Sequence, residues 1–167
     1  MSRRTVPGAI LALTLALSAC GGNEDAATSS VAEQVAEEIP ADLTEVPDVP
    51  ESDAPAPTEL EVQDVVVGDG EKAVEGSSVA VKYVGAFYES GEEFDSSWSR
   101  GADETLPVTL GAGQVIEGFD QGITGMQVGG RRVVVIPSEL GYGDQDRGPI
   151  PAGSTLVFVI DLVEVTG

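Results

Sequence analysis

From Ser78 onward the chain is written mostly in a period of two. Val79, Val81, Tyr83 and Gly85 alternate with Ala80, Lys82, Val84 and Ala86, which predicts a strand over 78–88 with a tyrosine on its apolar face. Leu106, Val108 and Leu110 share one face of a second strand, and Leu156, Phe158, Ile160 and Leu162 share one face of the longest, over 154–165. Leu60–Val67 reads as a strand closed by Gly68-Asp69-Gly70, and residues 93–97 return antiparallel after the turn Glu89-Ser90-Gly91-Glu92. Residues 99–104 read as loop or bulge, 126–130 as a turn, and 138–152 as a long loop rich in Gly and Pro. Arg131–Pro137 is a strand of another kind, because its apolar run does not alternate.

The period changes once. Ile116, Phe119 and Ile123 recur at i, i+3 and i+7 and predict one short helix after Leu110-Gly-Ala-Gly-Gln-Val. Gly118, Gly122 and Gly125 interrupt it, each weakening an isolated helix by about 1 kcal/mol relative to Ala. Packing must therefore hold it. Many strands with hairpin spacing and one helix give an α+β fold: a curved antiparallel sheet, a half-barrel, wrapped around one short α-helix over residues 60–167.

Upstream the pattern fades. Residues 21–59 hold eleven acids, no Lys or Arg and no aromatic residue, together with five prolines. Such a segment repels itself and buries too little to offset its ordering entropy, so 20–59 reads as a disordered acidic tether, and the weak helical pattern over 31–39 is not expected to form a helix. Fully extended it would reach on the order of 100 Å. Residues 1–19 have a basic start, Arg3 and Arg4, then an apolar run, Val6–Ala19. That run is too short to span a hydrocarbon core of about 30 Å, and it ends in small residues, as a signal peptide does.

Leu17-Ser18-Ala19-Cys20 resembles the lipobox of bacterial lipoproteins. The resemblance implies cleavage before Cys20, lipidation of that residue, and a place on the extracytoplasmic side of the cell membrane. The alternative is ordinary secretion with a free thiol.

Charge and cysteine count narrow the function. The net charge is −21, and residues 60–167 alone carry eighteen acids against six bases. There is no basic footprint for nucleic acid. With no His and one Cys, an intramolecular disulfide and a Cys/His metal site are excluded, and the acids lack calcium-loop spacing. No metal or cofactor is expected. Gly111-Ala-Gly113 lacks the third glycine of a dinucleotide loop, and Arg131-Arg132 reads as exposed strand ends. Nothing suggests an interface, so a monomer is expected.

Val81-Lys-Tyr-Val-Gly-Ala, Gly91-x-x-Phe94-Asp95-Ser96-Ser97, Leu110-Gly-x-Gly-Gln-Val-Ile116-x-Gly-Phe119, Gly125-Met-x-Val-Gly129, Ile136-Pro-x-x-Leu-Gly-Tyr142-Gly143 and Ile150-Pro-x-x-Ser-Thr-Leu-Val-Phe158 follow in one order. Together they resemble the FKBP-type peptidyl-prolyl cis–trans isomerases over about 60–167. The resemblance implies X-Pro isomerisation and, in the same pocket, binding of immunosuppressive macrolides. Carried over, it places Asp95, Tyr142, Ile116, Phe94 and Phe158 at the reacting amide. Tyr83, Leu106, Val115, Phe119 and Ile150 become the substrate-binding wall. Phe119 stands where the family usually has Trp, Leu106 where an aromatic is common, and Asp144–Pro149 carries charges in place of apolar residues.

The chemistry suits a chain without His. Rotating an X-Pro amide costs about 18–20 kcal/mol and breaks no bond, so it needs no nucleophile, base or metal. An apolar pocket that fits the twisted amide better than the planar one is enough. Asp95 beside Phe94 is expected to be partly buried, with Tyr83 and Arg100 as its partners, since a buried carboxylate needs them. The sequence thus reads as an isomerase acting on proline-containing exported polypeptides. The alternative is a non-catalytic module that holds such segments.

Overall fold

The computed structural model describes residues 29–166. The predicted signal peptide and Cys20 lie outside the described residues. The elements are α1 (Val31–Glu38), β1 (Glu61–Val66), β2 (Ser78–Phe87), β3 (Glu93–Ser96), β4 (Leu106–Thr109), α2 (Glu117–Ile123), β5 (Arg131–Ile136) and β6 (Leu156–Thr166). The strands form one antiparallel sheet in the order β1-β5-β6-β2-β3, and β4 also pairs with β2. The expected half-barrel around one helix is present, and each predicted strand lies within a residue or two of its expected place.

β2 is the strand that shapes the mouth of the barrel. Its first half, Ser78–Val81, pairs with β4, and its second half, Val84–Ala86, pairs with β3. The sheet is therefore broken between β3 and β4, where residues 98–100 make a short 3-10 turn. On its other side β2 runs along the whole of β6, from Ser78↔Thr166 to Phe87↔Leu156.

The concave face holds the main core, with Val81, Tyr83, Phe119, Ile123, Val134, Ile136, Phe158 and Ile160. The glycines that would weaken α2 are what let it approach the sheet. A Cβ on Gly118 would lie 2.4 Å from Cγ2 of Ile136, and one on Gly122 would lie 2.7 Å from Cγ1 of Val134. Arg132 then closes the helix. It donates to the carbonyls of Gly122 and Thr124 at 2.9 and 3.4 Å and pairs with Asp64 at 2.6 Å, a cation at a helix C-terminus.

The convex face is covered too, and for residues 29–59 this corrects the sequence reading of a disordered tether. Residues 29–59 lie on the sheet as a strap. Ser30 caps α1 by accepting from the Glu33 N–H at 3.1 Å, and Ala32 donates to Glu61 at 3.0 Å. Ala32, Val35, Ile39 and Val49 are buried against Val84, Ala86, Val133, Val135, Val157 and Val159. The acids remain in water while the few apolar residues meet a face already made of valines, so little apolar content is needed.

Arg131 fixes the strap, and here the expectation of an exposed strand end fails as well. Its side chain is wholly buried and donates to the carbonyls of Pro40, Asp42 and Glu45 at 2.8, 3.2 and 3.0 Å. Adjacent strand residues point to opposite faces, so Arg131 turns to the strap and Arg132 to the helix. No helix among the described residues is long and apolar enough to cross a membrane.

Candidate active site

The break between β3 and β4 opens on a cavity of about 160 Å³. It is lined by Tyr83 of β2, Phe94 and Asp95 of β3, Leu106 of β4, Gln114, Val115 and Ile116 before α2, Phe119 of α2, Tyr142 of the long loop, and Phe158 of β6.

Four rings build its walls and floor. Phe119 and Phe158 meet edge-on with centroids 5.1 Å apart. Phe94 meets Phe158 edge-on at 5.7 Å, and Tyr83 meets Phe119 edge-on at 5.7 Å. These are the offset and perpendicular geometries that aromatic quadrupoles favour. Gly85 makes the arrangement fit. It sits opposite Phe158 in the β2–β6 register, and a Cβ there would fall 2.7 Å from the Phe158 ring and 2.9 Å from that of Phe94.

One side of the rim is polar and tied together. The Tyr83 hydroxyl donates to Oδ2 of Asp95 at 2.5 Å. Arg100 donates from Nη1 to Oδ1 of Asp95 at 2.8 Å and from Nη2 to the Tyr83 oxygen at 3.0 Å. Ser97, fully buried, locks this corner: its Oγ accepts from the Tyr83 N–H at 2.9 Å, and its own N–H donates to the Tyr83 carbonyl at 3.0 Å. Burial raises the Tyr83 pKa above its ordinary value, and the hydrogen bond to Asp95 raises it further. Its hydrogen bonds to Tyr83 and then to Asp95 raise the pKa of Arg100. Asp95 has the two partners expected of it and is partly covered, as expected. Its side chain is 48% exposed, because the polar corner faces out of the break while the rings face in.

Ile116 stands at the N-cap of α2 in extended conformation, φ −61° and ψ 148°. Its carbonyl accepts from Phe119 and Asp120 at 3.1 and 3.2 Å, while its N–H precedes the helical ladder and borders the cavity.

Nine of the ten predicted site residues line this one cavity. Ile150 does not. Reciprocal backbone hydrogen bonds with Arg147, at 2.8 and 3.0 Å, close a tight turn there, and the Ile150 side chain is buried in the core cluster that also holds Tyr83, Phe119 and Phe158. The sequence reading missed Gln114, which lines the cavity and accepts from the Thr109 N–H at 2.9 Å. It lies within the same Gly-Gln-Val-Ile run as Val115 and Ile116, which was the available signal. The chain's one tryptophan, Trp98, is not on this cavity; it packs against the convex-face cluster under Lys82.

Comparison with known proteins agrees with this geometry. The family model for FKBP-type peptidyl-prolyl cis–trans isomerase matches residues 69–163. The chain is 51% identical over 121 residues to the FK506-binding protein of Streptomyces anulatus, covering 70% of this chain and 96% of that one. It is 48% identical over 109 residues to the probable FK506-binding protein of Corynebacterium glutamicum, covering 65% and 89%. The crystal structure of AtFKBP13 superposes with a TM-score of 0.59 at 38% identity, over 66% of this chain and 96% of that one. An antiparallel sheet bent round a glycine-packed helix, a ring-walled hollow where the sheet parts, and a family match over residues 69–163 lead to one conclusion: this chain belongs to the FKBP-type peptidyl-prolyl cis–trans isomerases.

Proposed function

We propose that the cavity takes up the proline ring of an exported polypeptide and lets the preceding amide rotate, on a protein held at the membrane by a lipid on Cys20. The observation that carries the catalytic part is the meeting of four rings with one exposed, doubly hydrogen-bonded carboxylate at a single opening.

A planar amide is stabilised by charge separation between its oxygen and nitrogen. Walls of Phe94, Phe119, Phe158, Leu106 and Val115 solvate that separation poorly and so favour the twisted amide. Each 1.36 kcal/mol of such differential binding is worth tenfold in rate. The Ile116 N–H and the Tyr142 hydroxyl donate to substrate carbonyls and hold the chain while one side turns. Asp95, kept in place by Tyr83 and Arg100, lies next to the turning carbonyl and orients it. The FK506-binding names of the relatives support a macrolide competing for the same cavity.

The test is NMR exchange on an X-Pro peptide with the full chain. Exchange is expected to accelerate, to slow with Tyr142→Phe or Asp95→Ala, and to fall when a macrolide is added. Absence of acceleration, or two variants equal to the parent, defeats the isomerase reading. For the anchor, Cys20→Ser is expected to move the protein from the membrane fraction to the soluble one; an unchanged distribution defeats that part.

A further inference from the structure

A second hollow adjoins the first. Between the β2–β3 hairpin and residues 149–155 runs an open cleft of about 720 Å³, walled by Phe87, Phe94, Pro149 and Pro151 and rimmed by Glu89, Glu92 and Glu93. Phe94 lines both hollows, so cleft and cavity adjoin across its ring. The volume lies in the range of about 300–1,000 Å³ typical of ligand clefts, large enough for several side chains.

Its charge has one sign. The three glutamates are exposed, no Lys or Arg lines the cleft, and none of the three is in a salt bridge among the described residues. The hairpin that carries them is braced from behind by the strap. The Tyr88 hydroxyl donates to the Ala54 carbonyl at 3.1 Å and accepts from Ser52 at 2.8 Å.

We propose that this cleft receives the stretch of substrate next to its proline and selects Lys or Arg there. The inference rests on reading the cavity as the proline site. A polypeptide with its proline in that cavity leaves it past Phe94. There an aliphatic stem can lie on Phe87 and the two prolines while its cationic head reaches the glutamates, as long basic side chains do. Opposite charge at a rim acts mostly on encounter and discrimination.

The experiment compares matched X-Pro peptides bearing Lys, Gln or Glu within three residues of the proline, on either side, with the full chain in the NMR exchange assay. The Lys peptide is expected to show about fivefold higher kcat/KM than the Glu peptide at low ionic strength, with the ratio shrinking as salt is added. The triple variant Glu89→Gln, Glu92→Gln, Glu93→Gln is expected to bring the ratio close to one. A control with the same charge change on the exposed face of α1, Glu33→Gln, Glu37→Gln, Glu38→Gln, is expected to keep it. A parent ratio near one on both sides of the proline, or a control that lowers it equally, overturns the cleft while leaving the isomerase reading intact. If no peptide exchanges faster, both readings fall.

Discussion

Arg131 on β5 and Asp161 on β6 stand opposite each other in the register and are joined twice, Nε to Oδ1 at 2.6 Å and Nη2 to Oδ2 at 2.7 Å. Their side chains are 0% and 6% exposed. A bidentate pair so deep must satisfy its remaining donors, and the strap carbonyls of Pro40, Asp42 and Glu45 do this.

Arg131→Met therefore leaves a buried carboxylate and three carbonyls without their donor. The expected loss is about 3–5 kcal/mol in urea denaturation, with Arg131→Met plus Asp161→Leu costing less than the single change. Limited proteolysis should also cut the strap sooner. A single variant as stable as the parent would show that the latch is not there.

Removal of residues 29–59 uncovers a valine face and forfeits the burial of Val35, Ile39 and Val49, each worth about 1.5–3 kcal/mol. The fragment starting at residue 60 is expected to melt at a lower temperature than the full chain and to bind a hydrophobic dye. Equal melting temperatures would contradict the packed strap.

Gly85→Ala places a methyl group into the Phe94 and Phe158 rings. Overpacking of this kind costs about 1–3 kcal/mol, and here the rings that must move are the cavity wall. Peptide exchange is expected to fall by more than the stability loss explains. Ala accepted with full activity would mean that the rings shift freely.

The Tyr83 pKa is raised in the folded protein above its ordinary 10.0, first by burial and then by Asp95. Above that ordinary value the folded state keeps a proton that the unfolded chain releases. The contribution is therefore complete below pH 10.0 and is lost as pH rises through the folded value. A tyrosinate absorbance titration should show a late component that Tyr83→Phe removes. Its persistence in that variant would reassign the shift.

Most of the sheet was legible because inward positions recur at every second residue along β2, β4 and β6, between turns marked by Gly, Asp and Pro. The cavity was legible through the family resemblance: inward positions alone would leave Phe94, Phe119 and Phe158 as plain core, and the order of the motifs is what moves them to a pocket. Ile150 belongs to the core cluster that holds Tyr83, Phe119 and Phe158 but is not on the cavity's lining, a distinction the motif does not carry. The strap was hidden by composition: acids and prolines dominate 29–59, and Ala32, Val35 and Ile39 alone carry the helical spacing. A signal lay elsewhere, in the non-alternating run Val133–Ile136. An antiparallel strand that is apolar on both sides needs a cover on both. Arg131 escaped for the same reason, since the three carbonyls it donates to, those of Pro40, Asp42 and Glu45, lie in the segment taken as solvated.

The strap also bounds the reach of the anchor proposed above. Ser30 caps a helix packed on the sheet, and the ten residues from Cys20 to it can extend no farther than about 35 Å. An enzyme anchored through that cysteine would work close above the lipid headgroups, meeting chains as they emerge from the bilayer rather than patrolling the space beyond it.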